Sequence, residues 1–532
     1  MKFFSNRSDF FTKLYFIGIG LMIFALPLSK FLMSFAQLIL IISWVGQGNL
    51  KEKFKAFFHN KPALVFSSIY LLHLLGLFYT CNMAYAFEDL KIKIPILIFP
   101  LIFSTSPVPS KELFNKYLNI FIFAVVFSTV CSILVLLDII HRDIRDIRNI
   151  SIFISHIRLS LLICMSILIL FFRIFKDKIT KLKLIAQGLL IFWLFYFLII
   201  IESITGIGIL FIVGIILLLY YSMKIKNATN KIAILGTLMV FIIIPLLFLG
   251  AEINSFYKEK SSAKEVIKTE TQKGNPYTQI LENKSIENST YIWRNIEWNE
   301  LRNSWNARSK YPFDSLDFKG QEIKYTIIRF LSSKGLDKDE AAINALTNDE
   351  VLSIENGICN YKYQLPFSIK SRIHKIIWEY ENYKETKNPN GHSVMLRAEF
   401  WKASINIIKS NFLIGVGTGD INKSFELEYK RMNSPLIKRY QLKSHNQYLR
   451  ITVLFGILGL VWFIIVLIYP FFNYKQIHYF YFIFFLIAVL SMLSEDTIET
   501  QAGVSFYAFF NSFFYFLYHK TQYPKKATKV IQ

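Results

Sequence analysis

The sequence predicts an all-α protein that crosses a membrane about twelve times and carries one large helical loop outside it. Three observations predict this class. Hydrophobic residues make up 53% of the 532 and aromatic residues 17%, with a mean hydropathy of +0.39. Charged residues reach only 18%, against about 25% in soluble domains, and they gather between apolar runs. Those runs are long enough to cross about 30 Å of hydrocarbon as helices, in which each backbone polar group finds its partner internally.

Taken in order, such runs lie near 11–28, 31–47, 62–80, 117–140, 157–175, 184–202, 205–223 and 232–251. A shorter run near 92–105 reads as a span broken by Pro95 and Pro100. Three more come after a long polar region, near 447–470, 476–494 and 499–518. Met1 to Leu28 has the basic start and apolar run of a signal peptide but no small-residue cleavage site, so it reads as the first span.

Orientation follows from the basic connections. Lys51, Lys53, Lys55 and Lys61, then Arg173, Lys176, Lys178, Lys181 and Lys183, then Lys224, Lys226 and Lys231, and finally Lys520, Lys525, Lys526 and Lys529 share one side. That side is the cytoplasm if the N-terminus is inside. Three regions result: an N-terminal bundle over 1–251, an extracytoplasmic loop subdomain over 252–446, and C-terminal helices with a basic tail over 447–532. The net charge of +23 then suits membrane lipids and an anionic lipid-linked substrate better than nucleic acid. Cys131 and Cys164 lie in apolar segments; Cys81 and Cys359 could meet outside the membrane.

Residues 254–290 are polar and read as mobile, while helical periodicity appears over 321–334, 338–347, 366–384 and Ser393 to Ser410. The stretch 290–445 therefore reads as a small α-helical subdomain lying on the membrane. On the outer side, 141–158 carries four arginines, which is either an amphipathic interfacial helix or a meeting place for an anion. Arg158, directly before a span, is the best anion candidate there.

Candidate chemistry gathers near the C-terminus. Ser444 to Leu460 reads SHNQYLRITVLFGILGL, a polar cluster running into a span, with Asn446 or Ser444 available as its N-cap. A helix N-terminus disfavours added positive charge, so His445 should be neutral and able to accept a proton. It could equally be an interfacial histidine satisfied by water or headgroups. GVGTGD at 415–420 lacks a surrounding βαβ unit and the G-x-G-x-x-G spacing, so it reads as a tight re-entry loop, with backbone N–H groups near a phosphate as the alternative. Arg397 suits a diphosphate through its planar fork, or serves as a surface ion-pair partner. Ser494, Glu495, Asp496 and Glu499, followed by Gln501, cluster in a turn close to hydrocarbon. Carboxylates there are functional candidates by default, unless the turn is simply hydrated. No His or Cys joins them at ligand spacing, so no metal and no cofactor are implied.

Together, R-x-x-x-W at the end of the outer loop, GVGTGD, HNQYL and FGILGL resemble the O-antigen ligase and O-antigen polymerase family over about 393–460. SEDTIETQAG at 494–503 fits that family's closing hairpin. The resemblance implies a bacterial inner-membrane glycosyltransferase of the GT-C kind, inverting and metal-independent, with its active site facing the periplasm. It implies an undecaprenyl-diphosphate-linked glycan as donor, and lipid A–core or another glycan as acceptor. Carried over by position, His445 acts at the acceptor hydroxyl and Arg397 is the loop arginine; Glu495, the other titratable group at the outer rim, is the next candidate base. Arg397 and Arg158 hold the diphosphate, with Asn446 and Gln501 beside the substrate. One departure stands out: ESITG at 202–206 places Thr205 where many members have an arginine. Ligase, polymerase and protein O-glycosylating activities all remain open within the family. A polysaccharide transporter or flippase is the alternative outside it, and would call for ionisable groups within the spans.

Overall fold

Apolar segments without water to satisfy their backbones become helices, and the described residues of this chain are mostly helical. The computed structural model describes residues 2–142, 144, 146–176, 180–365, 367–473 and 478–518. Asp143, Arg145, Lys178, Lys520, Lys525, Lys526 and Lys529 lie outside the described residues. The N-terminal part comprises α1 (Lys2–Ala25), α2 (Lys30–Gly46), α3 (Leu50–Phe58), α4 (Lys61–Leu75), α5 (Met83–Thr105), α6 (Lys111–Leu136), α7 (His156–Lys176), α8 (Lys181–Ile200), α9 (Ile204–Lys224) and α10 (Ala228–Ser261). Polar caps start many of them: the side chains of Ser29, Asn60, Asn82, Ser110 and Thr180 each accept a first-turn N–H.

The long connection expected outside the membrane supplies the helices α11 (Trp298–Arg308), α12 (Ile323–Ser333), α13 (Glu340–Asn344), α14 (Asn348–Glu355), α15 (Ile369–Thr386), α16 (Ser393–Ser410) and α17 (Ile421–Arg431). The chain then returns through α18 (Gln447–Asn473), α19 (Tyr479–Ser491) and α20 (Gln501–Ser512), the last followed by a π-helical turn over Phe513–Tyr518. A helix stands at each of the twelve expected positions. Among the described residues eight are long and apolar enough to cross a bilayer, or nine if α2 and α3, bent by 109°, form one broken span.

Two local expectations are corrected. The chain does not break at Pro95 and Pro100, because α5 runs through both. Each proline removes one helical bond, but packing holds the element together: Phe99 and Phe103 meet Phe509 edge-on, with centroids 5.4 and 5.6 Å apart. The polar stretch 254–290 is also structured. Phe256 of α10 enters the outer core, Tyr277 N–H bonds to the Thr269 carbonyl, and Lys268 and Lys273 pair with Asp337 and Glu340. A minimal hairpin, β1 (Ile286–Glu287) with β2 (Thr290–Tyr291), comes next.

The outer region divides in two. Residues from Phe256 to Trp378 share a core around Trp305, Ile327, Phe330 and Ile343. By contrast, Phe400, Ile407, Phe425 and Tyr429 of α16 and α17 pack into the main transmembrane cluster. The helices that end the outer loop are thereby fixed to the bundle, and they hold the start of α18 in place.

The glycine loop after α16 is built into α18. Gly456 interrupts α18 with φ +63° and ψ −166°. The freed backbone groups bond the loop: Val416 and Gly417 donate to the Val453 and Leu454 carbonyls, and Ile457 donates to that of Phe412. A Cβ on Gly456 would lie 2.2 Å from the Leu413 backbone, and one on Gly415 would lie 2.4 Å from that of Leu454. Only glycine permits this approach. Thr418 and Gly419 donate to the Gly76 carbonyl and to Thr80 Oγ1, and the Asp420 carboxylate accepts from the Cys81 and Asn82 N–H groups. The N–H groups of 415–419 are thus spent on the protein, which leaves no cradle of free donors for a phosphate there.

Candidate active site

The site begins where α18 begins. Asn446 is its N-cap, Oδ1 accepting from Leu449 N–H at 3.0 Å, while its own N–H and Nδ2 bond Asp496 Oδ1 and the Leu493 carbonyl, each at 2.9 Å. Ser444 is not the cap. It is fully buried, held by Ser404 Oγ and by Trp401 Nε1 at 3.1 Å each. Between these two anchored neighbours His445 takes the left-handed conformation, φ +45°. Such a backbone costs about 1–3 kcal/mol and persists only where its surroundings impose it. Its ring lies on Phe400, with centroids 5.6 Å apart. Nδ1 is buried without a hydrogen bond, 3.8 Å from Glu495 Oε2, while 34% of the side chain stays exposed. The exposure therefore belongs to the rest of the side chain.

Arg397 comes from α16, about one turn after its start at Ser393. Its Nη2 donates to Glu495 Oε1 at 3.1 Å and to the Ser494 carbonyl at 3.4 Å, and its Nε is buried without a partner. Arg158, near the start of α7, donates from Nη2 to the Asp496 carbonyl at 3.1 Å and keeps Nη1 buried and unpartnered. Burial alone would raise the pKa of Glu495, but His445, Arg158 and Arg397 outweigh it and hold the carboxyl below its ordinary value. For Asp496 burial prevails and the value is raised.

The structure thus brings together His445, Glu495, Arg397, Arg158 and Asn446. Gln501 is not among them: its Nε2 bonds Ser34 Oγ at 2.5 Å and the Lys30 carbonyl at 3.3 Å, on α2. Adjacent in sequence to the acidic turn, it is the first residue of α20, set off from that turn by the extended N-cap Thr500 (φ −125°, ψ 151°) and packed toward α2. Among the described residues no cluster of three or more His, Cys, Asp or Glu side chains could hold a metal, and all four cysteines are free.

Beside this site lies a buried ion network around Glu499, whose partners the sequence pattern did not single out. Glu499 accepts from Lys93 Nζ at 2.9 Å, Arg450 Nη2 at 3.1 Å and Gln447 Nε2 at 3.0 Å. Lys93 also pairs with Asp89 at 2.6 Å. Lys93 is fully buried and Arg450 2% exposed. The legible signals were the i, i+4 spacing of Asp89 and Lys93 and an arginine one turn into a span. Ile498 N–H in turn donates to Gln447 Oε1 at 2.9 Å, so the network pins the acidic turn to α18.

Residues 364–464 match the family described as O-Antigen ligase, while no curated protein matches the chain. The matched stretch contains Arg397, the glycine loop, His445, Asn446 and the break in α18. That match covers the part of this multi-pass membrane protein that carries the candidate site, and it supports the O-antigen ligase and polymerase family of glycosyltransferases for the chain.

Proposed function

We propose that this protein transfers a glycan from undecaprenyl diphosphate to an acceptor hydroxyl at the outer face of a bacterial inner membrane, as an O-antigen ligase. The observation that carries the reading is the convergence of an open imidazole, a carboxylate behind it and two arginines with unspent donors. His445, through the ring edge away from Glu495, accepts the acceptor's proton as its oxygen attacks the anomeric carbon. Glu495 faces Nδ1 and offsets the positive charge the ring acquires, a contact that shortens as substrate binds. The bond from the anomeric carbon to the diphosphate oxygen breaks on the opposite face, inverting that centre. The departing diphosphate keeps the electron pair, and Arg397 and Arg158 stabilise it without a metal.

Transfer from a purified undecaprenyl-diphosphate glycan, normalised to inserted protein, tests this. His445→Ala should lose about 10²–10⁴-fold of turnover, the usual contribution of a general base. Retention of about a tenth of wild-type turnover would exclude a base of that size. Surface glycolipids of a deletion strain separate the nearest alternative: loss of all polymer from lipid A marks a ligase, and a single repeat on lipid A marks a polymerase.

A further inference from the structure

The loop 411–420 belongs to the long connection between spans, yet it is bonded between two of them. On α18 it joins the break at Gly456: Ile457 N–H bonds the Phe412 carbonyl at 2.8 Å, and Val416 N–H bonds that of Val453 at 3.0 Å. On its other side it meets the span Lys61–Tyr79 that α4 begins. There Tyr79 Oη donates to the Ile414 carbonyl at 2.8 Å, and Thr418 N–H donates to that of Gly76 at 3.3 Å.

These two spans measure the depth of the loop. Counted from their opposite ends at 1.5 Å per residue, Gly76 stands about 22 Å from Lys61 and Gly456 about 24 Å from Phe472. Hydrocarbon is about 30 Å thick, so both levels, and the loop bonded to them, lie about 6–8 Å inside its near edge. Any tilt of the spans brings the loop deeper. The side chains agree. Phe412, Leu413 and Ile414 are 55%, 61% and 55% exposed, while Gly415, Gly417, Thr418 and Gly419 are buried. Water would favour the reverse, with the large apolar groups turned inward. The three continue the exposed apolar surface of Leu75 and Phe78 on one span and Leu458 on the other, and Trp462 Nε1 of α18 ties the spans together by bonding Ser68 Oγ at 2.9 Å. What covers the spans therefore covers the loop set between them.

We propose that Phe412, Leu413 and Ile414 form a wedge that enters the hydrocarbon of the leaflet nearer α11–α17, where its partner is the acyl chains of the bilayer. Irregular backbone survives at that depth only where protein satisfies its polar groups. The bonds from Tyr79 and Ile457 and the bonds to Val453 and Leu454 do so. The wedge adds a membrane anchor between α16 and α17 and sets the height of the helices it joins. Asn446 lies about 15 Å further along α18 toward water, so the same anchor holds the start of α18 at the level of the lipid headgroups. The insertion itself does not depend on the transferase reading.

Photo-cross-linking of the full-length protein in phosphatidylcholine nanodiscs, read by mass spectrometry, tests it. Leu413→benzoylphenylalanine should give adducts on lipid acyl chains, as should Leu458→benzoylphenylalanine within the span. Lys284→benzoylphenylalanine, at an exposed position elsewhere in the connection, should give none. Phe412→benzoylphenylalanine keeps an aromatic ring and decides the matter should the Leu413 variant fail to insert. Adducts confined to the choline headgroup, or no adduct where Leu458 reacts, overturn the proposal by placing the loop at or above the membrane surface. A cross-linked dimer overturns it as well and reassigns the patch to contact between two copies. No glycan enters the measurement, so failure of transfer and failure of the wedge give separate results.

Discussion

Arg397 holds Glu495 through a single guanidinium nitrogen at 3.1 Å and leaves its Nε unspent. A planar fork with an unused donor beside it suits two phosphate oxygens, whereas an ammonium offers a point charge. Arg397→Ala should lose about 2–4 kcal/mol of transition-state stabilisation, and Arg397→Lys should not restore it, as measured by transfer per inserted molecule. Full activity in Arg397→Ala would leave the arginine as an ion-pair partner of Glu495. The carboxylate makes a second claim, on stability. Its pKa in the folded protein is depressed, so its contribution is present above the ordinary glutamate range and vanishes as pH falls through the folded value. Glu495→Gln should therefore melt well below wild type at neutral pH and approach it in acid. A gap that stays constant with pH would mean that the ionised carboxylate is not what stabilises.

Among the elements, α18 owes its shape to one residue. Gly456→Ala would need a left-handed alanine with its Cβ 2.2 Å from the Leu413 backbone. Strain of about 1–3 kcal/mol and overlap with backbone, which cannot swing aside, should lower the melting temperature and loosen the glycine loop. An unchanged melting curve would show that the break in α18 is not required. The acidic turn is tied to α5 and α18 by Glu499. Removing one member of a buried ion set costs about 3–5 kcal/mol, because the charges left behind lose their partner. Glu499→Gln should accordingly destabilise the protein, and Lys93→Met added to it should recover part of the loss by removing one stranded cation. Additive effects of the two substitutions would refute the coupling.

For the whole molecule, the basic connections demand that Lys226 and the outer helices lie on opposite sides of the membrane. Lys284 is exposed on the outer region, which suits it to a reporter. Fusions ending at Lys226 should fluoresce as cytoplasmic green fluorescent protein, and fusions ending at Lys284 should show active phosphatase. The opposite result would invert the topology and remove the proposed site from the outer face. That site draws on four segments: the start of α7, α16, the start of α18 and the turn before α20. It therefore forms only when the first half of the bundle, the outer helices and the last hairpin close on one another.

Much of this was legible along the chain. Hydrocarbon thickness and backbone satisfaction dictate long apolar helices, so the spans follow from composition alone. Ser393–Ser410 emerged as one helix because its apolar residues recur at helical spacing. His445, Arg397 and the acids at 495–499 stood out because polar groups beside hydrocarbon need a reason. What tertiary structure alone decided is which of them meet. Glu495 reaches Arg397 and His445 across separations of 98 and 50 residues, a distance no local periodicity encodes. Gln501, two residues beyond Glu499, opens α20 after the extended N-cap Thr500 and faces α2 instead. Lys93 and Arg450 pass for isolated charges in sequence, and with Asp89 and Glu499 they become one neutralising set only when α5, α18 and the last turn pack together. Burial makes that pairing obligatory: a charge taken out of water must find its counter-charge, and only the packed fold determines which one lies within reach.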